Sequence, residues 1–118
     1  VATASPSNMK DLVEKVTKGI EASKRGFAYI HIFSPCPTGW GHDTNLSIDI
    51  AKKAVKSNFF PLFEVDRGNW KLLDNKNPIS VSEWIVKLKK FSHLTEDEII
   101  AIQDLADKRM ELLRKLSS

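Results

Sequence analysis

The stretch FAYIHIF, Phe27 to Phe33, is apolar or aromatic at nearly every position and lies between Gly26 and Pro35. A run of this length and composition predicts a strand buried on both faces, the kind found in parallel sheets. Upstream, Met9, Leu12, Val13, Val16 and Ile20 recur at helical spacing from about Asn8 to Ala22, with Lys10, Asp11, Glu14, Lys15 and Lys18 on the opposite face. That pattern predicts an amphipathic helix stopped near Arg25-Gly26. The opening residues VATAS are β-compatible up to Ser5-Pro6 and lack an initiator Met, so they read as the end of a strand in an N-terminally truncated chain. Strand, helix and buried strand make half of a βαβ unit, and the expected class is α/β.

Downstream, Leu46, Ile50, Ala51 and Ala54 give the core face of a second helix from about Asn45 to Ser57. FFPLFEVD and NWKLLD then flank Arg67-Gly68 as a hairpin, and Pro61, which has no N–H to donate, predicts an edge position for its first strand or one outside the main sheet. Ser80-Val81-Ser82-Glu83 and Thr95-Glu96-Asp97-Glu98 are capping boxes, with Ile79/Trp84 and Leu94/Ile99 placed as hydrophobic staples. The last helix should start near Glu96, with acids in its first turn and Arg114 and Lys115 in its last, each complementing the helix dipole. The expected organisation is an α/β unit over residues 1–58, then a small hairpin and a helical C-terminal arm over residues 59–118.

Composition narrows the functional classes. In 118 residues, 42% apolar and 28% charged, the net charge is only +3. Residues 1–58 carry eight Lys/Arg against five Asp/Glu and residues 59–118 carry ten of each, so there is no basic stripe of the kind nucleic acid requires. No apolar run reaches the roughly 20 residues of a membrane span, and no signal peptide opens the chain. A cytoplasmic protein is expected, and a lone cysteine agrees with a reducing compartment.

That cysteine, Cys36, lies in FSPCPTGWGHD, residues 33–43, at the carboxyl end of the predicted strand, where open α/β sheets place their ligands. Pro35 and Pro37 stiffen the loop, Gly39 and Gly41 allow close approach of the backbone, and Trp40 offers an apolar cover. A rigid, shielded thiolate suits an iron–sulfur ligand, whose cluster is tuned by burial and by hydrogen bonds to sulfur. A buried cysteine also serves as a small hydrophobe, and a nucleophilic one would need a basic partner such as His31 or His42. His31 falls inside the strand, as a packed residue would, and His42 equally suits an exposed loop position. One cysteine cannot close a cluster site, so the other ligands must come from elsewhere.

The segment AYIHIFSPCPTGWG resembles the C-terminal part of the thiamine-diphosphate-binding β subunit of 2-oxoacid:ferredoxin oxidoreductases, most closely the pyruvate:ferredoxin oxidoreductase (pyruvate synthase) type. VATAS, FFPLFEVDRGNWKL and FSHLTEDEIIAIQDLADKR extend the resemblance over nearly the whole chain. It implies a thiamine-diphosphate-binding fold of parallel strands and helices, and it implies that Cys36 is the last of four ligands to a 4Fe-4S cluster. Thr38, Gly39 and Trp40 would then shape the cluster's surroundings, although a tight turn with a packed indole explains them equally well. The family's other cluster cysteines, and the Gly-Asp-Gly and Asn motif that holds Mg2+ and thiamine diphosphate, are absent from these residues. The implied reaction is oxidative decarboxylation of pyruvate or a related 2-oxo acid with coenzyme A, giving acyl-CoA and CO2, with electrons passing through the cluster to ferredoxin. Other subunits of the complex are implied partners, with no nucleic acid and no membrane.

Two other classes stay open at this point. One is a non-catalytic subunit-interaction domain gripped through the capped C-terminal helices. The other is a thiol enzyme using Cys36 with His31 or His42, which the pH dependence of alkylation would reveal. Asn45-Leu46-Ser47 matches a glycosylation sequon, but no secretion signal supports it.

Overall fold

The computed structural model describes all 118 residues. Strand β1 (Ala2–Ala4) leads through helix α1 (Met9–Ser23) to β2 (Ile30–Ile32), the short helix α2 (Pro37–Trp40) and helix α3 (Ser47–Lys56). The hairpin of β3 (Leu62–Asp66) and β4 (Asn69–Leu73) follows, then three 3-10 turns between Val81 and Phe91, and finally helix α4 (Glu96–Ser117). The sheet order is β2-β1-β3-β4. β1 runs parallel to β2, pairing Ala2, Thr3 and Ala4 with Ile30, His31 and Ile32, and antiparallel to β3, so the expected α/β class holds with a mixed sheet.

The hairpin lies where the sequence puts it. Arg67 and Gly68 both adopt positive φ (50° and 82°), the backbone that a two-residue turn between right-twisted strands requires. β3, however, is an internal strand and not an edge. Pro61 precedes its first residue, so the missing N–H is not needed by the ladder. The Thr3 hydroxyl donates to the Pro61 carbonyl (2.7 Å) and accepts from the Phe63 N–H (3.0 Å), stitching β1 to β3 at that point.

Helix α1 departs from the amphipathic expectation in which side it buries. Asp11, Leu12, Lys15, Gly19 and Ala22 form the inward side, and a Cβ on Gly19 would stand 3.0 Å from Ile30 Cδ1. Lys15, only 5% exposed, donates to the Thr3 carbonyl (2.9 Å) and pairs with Asp11 (2.8 Å), so its charge is buried with both a partner and a hydrogen bond. Met9, Val13, Val16 and Ile20 face outward uncovered. β2 is likewise not buried on both faces. It is the outer strand of the sheet, Phe27 is 92% exposed, Tyr29 and Ile32 are open, and only Phe33 enters the core. The apolar patterns are real, but no layer within these residues lies against them.

The core joins Phe33, the α3 residues Ile50, Ala51, Ala54 and Val55, then Phe60 and Leu62, and Val81, Trp84, Ile85 and Leu88. A 3-10 turn, Thr44–Leu46, precedes α3 and leaves Leu46 exposed, while Val55 takes a core position the sequence reading did not give it. The Ser80 capping box is present but opens the 3-10 turn Val81–Glu83 instead of a longer helix. The Thr95 box opens α4 as expected, with Glu96, Asp97 and Glu98 in its first turn and Arg114 and Lys115 in its last. α4 buries Ala106, Met110 and Leu113, and Arg114 forks onto Asp74 after β4. A second α4 stripe, Leu105, Leu112 and Leu116, is exposed. No helix is long and apolar enough to cross a membrane.

Candidate functional site

The ladder between β1 and β2 continues one step past β2, where the Phe33 N–H donates to the Ala4 carbonyl (2.9 Å). The chain then leaves the sheet through Ser34 and Pro35 and reaches Cys36 in extended conformation, as the N-cap of α2. Pro37 occupies the first helical turn, where a missing N–H costs nothing. The Cys36 carbonyl accepts from the Trp40 N–H (2.8 Å), and its Sγ accepts from the Gly39 N–H (3.2 Å). Sulfur thus takes the part that a serine or aspartate oxygen plays at other N-caps.

Two glycines make this turn possible. A Cβ on Gly39 would stand 3.1 Å from Cys36 Sγ, so glycine keeps the approach to the sulfur open. Gly41 closes α2 in the left-handed region (φ 71°), and a Cβ there would come 2.5 Å from Lys89 Cβ. Strain and clash act together, so Gly41→Ala should destabilise the fold by ~1–3 kcal/mol and displace the loop. Urea unfolding, with thiol reactivity as a local readout, checks this prediction; an unchanged midpoint would contradict it.

Trp40 anchors the loop rather than covering the thiol. Its ring meets Phe33 edge-on (5.6 Å between centroids), and Phe33 in turn packs on Phe60 (4.9 Å). Thr38 is exposed. Cys36 is exposed too, against the expectation of a shielded thiol, because the end of β2 is a free margin of the sheet.

Neither histidine touches the sulfur. His31 stands on the exposed side of β2 with its ring edge-on to Phe60 (5.3 Å), not packed inside a strand. His42 donates from Nδ1 to the Asp43 carbonyl (2.9 Å), and its buried Nε2 has no partner. A thiol enzyme needs a base within hydrogen-bond reach of its nucleophile, and the only hydrogen bond at Sγ is that from Gly39.

The donor set fits one share of a metal cluster. Sγ is open to solvent, retains its capacity to bind a metal, and already receives an N–H of the kind that tunes cluster sulfurs. No group of three or more His, Cys, Asp or Glu side chains comes together to hold a metal ion, so Cys36 stands at this point as a lone sulfur donor. It offers no Gly-Asp-Gly loop, and no residue is assigned to thiamine diphosphate or Mg2+. Sequence reasoning missed the clamp of Lys89 on Gly41 and the buried Lys15. The first is a contact across 48 positions that leaves no local pattern, and the second is a charge that periodicity assigns to solvent.

No family model matches the chain. Among curated proteins, it is similar to the pyruvate synthase subunit PorB of Methanosarcina barkeri, 41% identical over 113 residues that cover 91% of this chain and 38% of that protein. It is 36% identical over 119 residues to the ketoisovalerate oxidoreductase subunit VorB of Pyrococcus furiosus, covering 98% of this chain and 38% of the relative. The β subunit of an NADH-dependent phenylglyoxylate dehydrogenase of Aromatoleum evansii is 36% identical over 121 residues, 99% of this chain and 27% of that protein. The chain therefore spans between about a quarter and two fifths of the length of these relatives.

Proposed function

The chain corresponds over nearly its whole length to the C-terminal part of the β subunits of 2-oxoacid oxidoreductases, and on that premise we propose that it forms part of an enzyme that oxidatively decarboxylates a 2-oxo acid to acyl-CoA and CO2. In this reading Cys36 supplies one ligand to a 4Fe-4S cluster from which electrons pass to ferredoxin. The observation that carries the assignment is the Cys36 sulfur: exposed at the carboxyl end of β2, capped only by the Gly39 N–H, and held by a loop pinned through Trp40 and Gly41.

When bound, thiamine diphosphate with Mg2+ supplies the carbon chemistry, and the cluster supplies one-electron transfer. This chain's residues do the positioning. The Gly39 N–H holds the sulfur in place and, by donating to it, would favour the reduced state of a bound cluster. Gly41 and Trp40 fix the loop to the core, so that the ligand is presented without reorganisation. The outward apolar side of α1 and the open edge of β2 support the larger assembly, since an apolar surface of this extent suits the remainder of the subunit or a neighbouring one. The exposed leucines of α4 support a subunit contact, which is the part of the interaction-domain alternative that the structure favours.

The relatives act on pyruvate, ketoisovalerate and phenylglyoxylate by name, and pyruvate is the substrate proposed here. The test is coenzyme A-dependent reduction of ferredoxin by the complete complex with each of these acids. Turnover with pyruvate is expected, and no turnover with any of the three would reject the reading. The 118-residue chain alone should be colourless and inactive, because one thiol cannot hold a cluster. Iron and thiamine analysis of the purified chain checks this; a stoichiometric cluster in the monomer would contradict it.

A further inference from the structure

Helix α4 carries a surface whose pattern is complementary to itself. Ala106, Met110 and Leu113 pack on the helix's own chain, whereas Leu105, Leu112 and Leu116 stand 68%, 56% and 42% exposed. At about 3.6 residues per turn, these three leucines and exposed Ala101 fall on one stripe along the helix. The steps from 101 to 105 to 112 to 116 are four, seven and four residues. That spacing reads the same in both directions. A second α4 laid antiparallel therefore sets Leu105 against Leu112 and Ala101 against Leu116, and each contact occurs twice.

The charges repeat the symmetry. Residues 96–107 carry five acids and no base, and residues 108–118 carry four bases and one acid. Beside the stripe, Asp104 pairs with Lys108 (2.7 Å) and Glu111 with Lys115 (3.3 Å). In the antiparallel register Asp104 lies two positions, roughly 3 Å along the axis, from Lys115 of the second copy, and Lys108 lies equally close to its Glu111. Side chains lean toward the N-terminus of their own helix, which closes that offset and widens the one between Asp104 and the opposing Glu111. Lys108 comes nearest the twofold axis, between carboxylates of both copies. A parallel pair would set acids against acids and align the two helix dipoles. A partner of unrelated sequence would make no use of the palindromic spacing.

We infer that the Leu105–Leu116 stripe of α4 is a contact between two copies of this chain, paired antiparallel about a twofold axis near Lys108. The occupant is the same β subunit of a neighbouring protomer. This goes beyond the proposed activity and uses α4 alone, so it stands or falls apart from the reading of Cys36.

The test is Lys108→Cys in the complete complex, treated with a short bis-maleimide and resolved on a denaturing gel. Lys108 is exposed and its ion pair lies at the surface, so the substitution leaves the fold unchanged. A covalent β–β product is expected, at least tenfold above that of the wild type treated alike, with a yield that does not change on dilution. Adding Leu112→Glu, an exposed position that the pair presents twice, should cut the yield tenfold or more without altering the circular dichroism. No β–β product, although a mono-maleimide labels position 108, would overturn the inference. So would coupling to a different subunit, a yield that falls in proportion on dilution, or a yield indifferent to Leu112→Glu. If position 108 resists the mono-maleimide and gives no β–β product, another chain or the remainder of the same subunit covers the stripe, and the inference fails.

Discussion

Cys36→Ser, placed in the complete enzyme complex, should lower ferredoxin reduction by about 100-fold or more while leaving the fold intact. Serine matches the size of the side chain and keeps an oxygen that can accept from the Gly39 N–H, so α2 retains its cap. On the proposed reading what changes is the ligand: a soft thiolate gives way to a harder and far less acidic oxygen, and the cluster should become labile or shift in potential. Release of CO2 from the 2-oxo acid, followed as carboxyl exchange, does not require electrons to leave, so it should fall much less than ferredoxin reduction. Both rates measured in one preparation separate the possibilities. A parallel loss of both in a folded, cofactor-loaded complex would place Cys36 in the carbon chemistry instead.

The second large effect is on stability. Trp84 is 3% exposed, meets Phe59 edge-on (5.1 Å) and donates its indole N–H to Ser57 Oγ (2.9 Å). It is the largest member of a core cluster that also holds Ile50, Ala54 and Leu88. Trp84→Ala removes most of that packing and leaves a cavity, at a cost of ~3–5 kcal/mol. For a domain whose whole stability is of order 5–15 kcal/mol, this is a large fraction of the total. Trp84→Phe keeps an aromatic ring and loses chiefly volume and the indole hydrogen bond, so it should cost about 1–2 kcal/mol. Urea midpoints followed by far-ultraviolet circular dichroism give both values. A loss below about 1 kcal/mol in the alanine variant would mean that this cluster is not what holds α3 to the C-terminal turns.

Much of this was legible in the sequence because the deciding signals are local. Arg67-Gly68 names its turn through the backbone it must adopt, and Thr95 with Glu98 names the start of α4 through a reciprocal pair of hydrogen bonds. Pro35, Pro37, Gly39 and Gly41 likewise confine Cys36 to one kind of loop. The direction of a hydrophobic stripe is a different matter. Met9, Val13, Val16 and Ile20 have the same spacing whether they face their own sheet or another layer, and here Lys15 and Gly19 take the inner side. FAYIHIF carries the composition of a doubly covered strand, while its burial depends on what lies next to β2. Pro61 misled for a related reason: its missing N–H matters only inside a ladder, and the ladder begins one residue later, with the Thr3 hydroxyl completing the join. The seat of the cysteine loop was illegible because Gly41 and Lys89 meet only in the folded chain.

On the proposed reading the Cys36 sulfur is bonded to iron. Iron and sulfide content, together with the electron paramagnetic resonance spectrum of the reduced complex, test it most directly in wild type, Cys36→Ser and Cys36→Ala. In the wild type a full 4Fe-4S signal is expected. In Cys36→Ser a changed signal with partial iron loss is expected, and in Cys36→Ala the loss of that signal or its conversion to a three-iron form. Identical spectra and iron content in all three would contradict it.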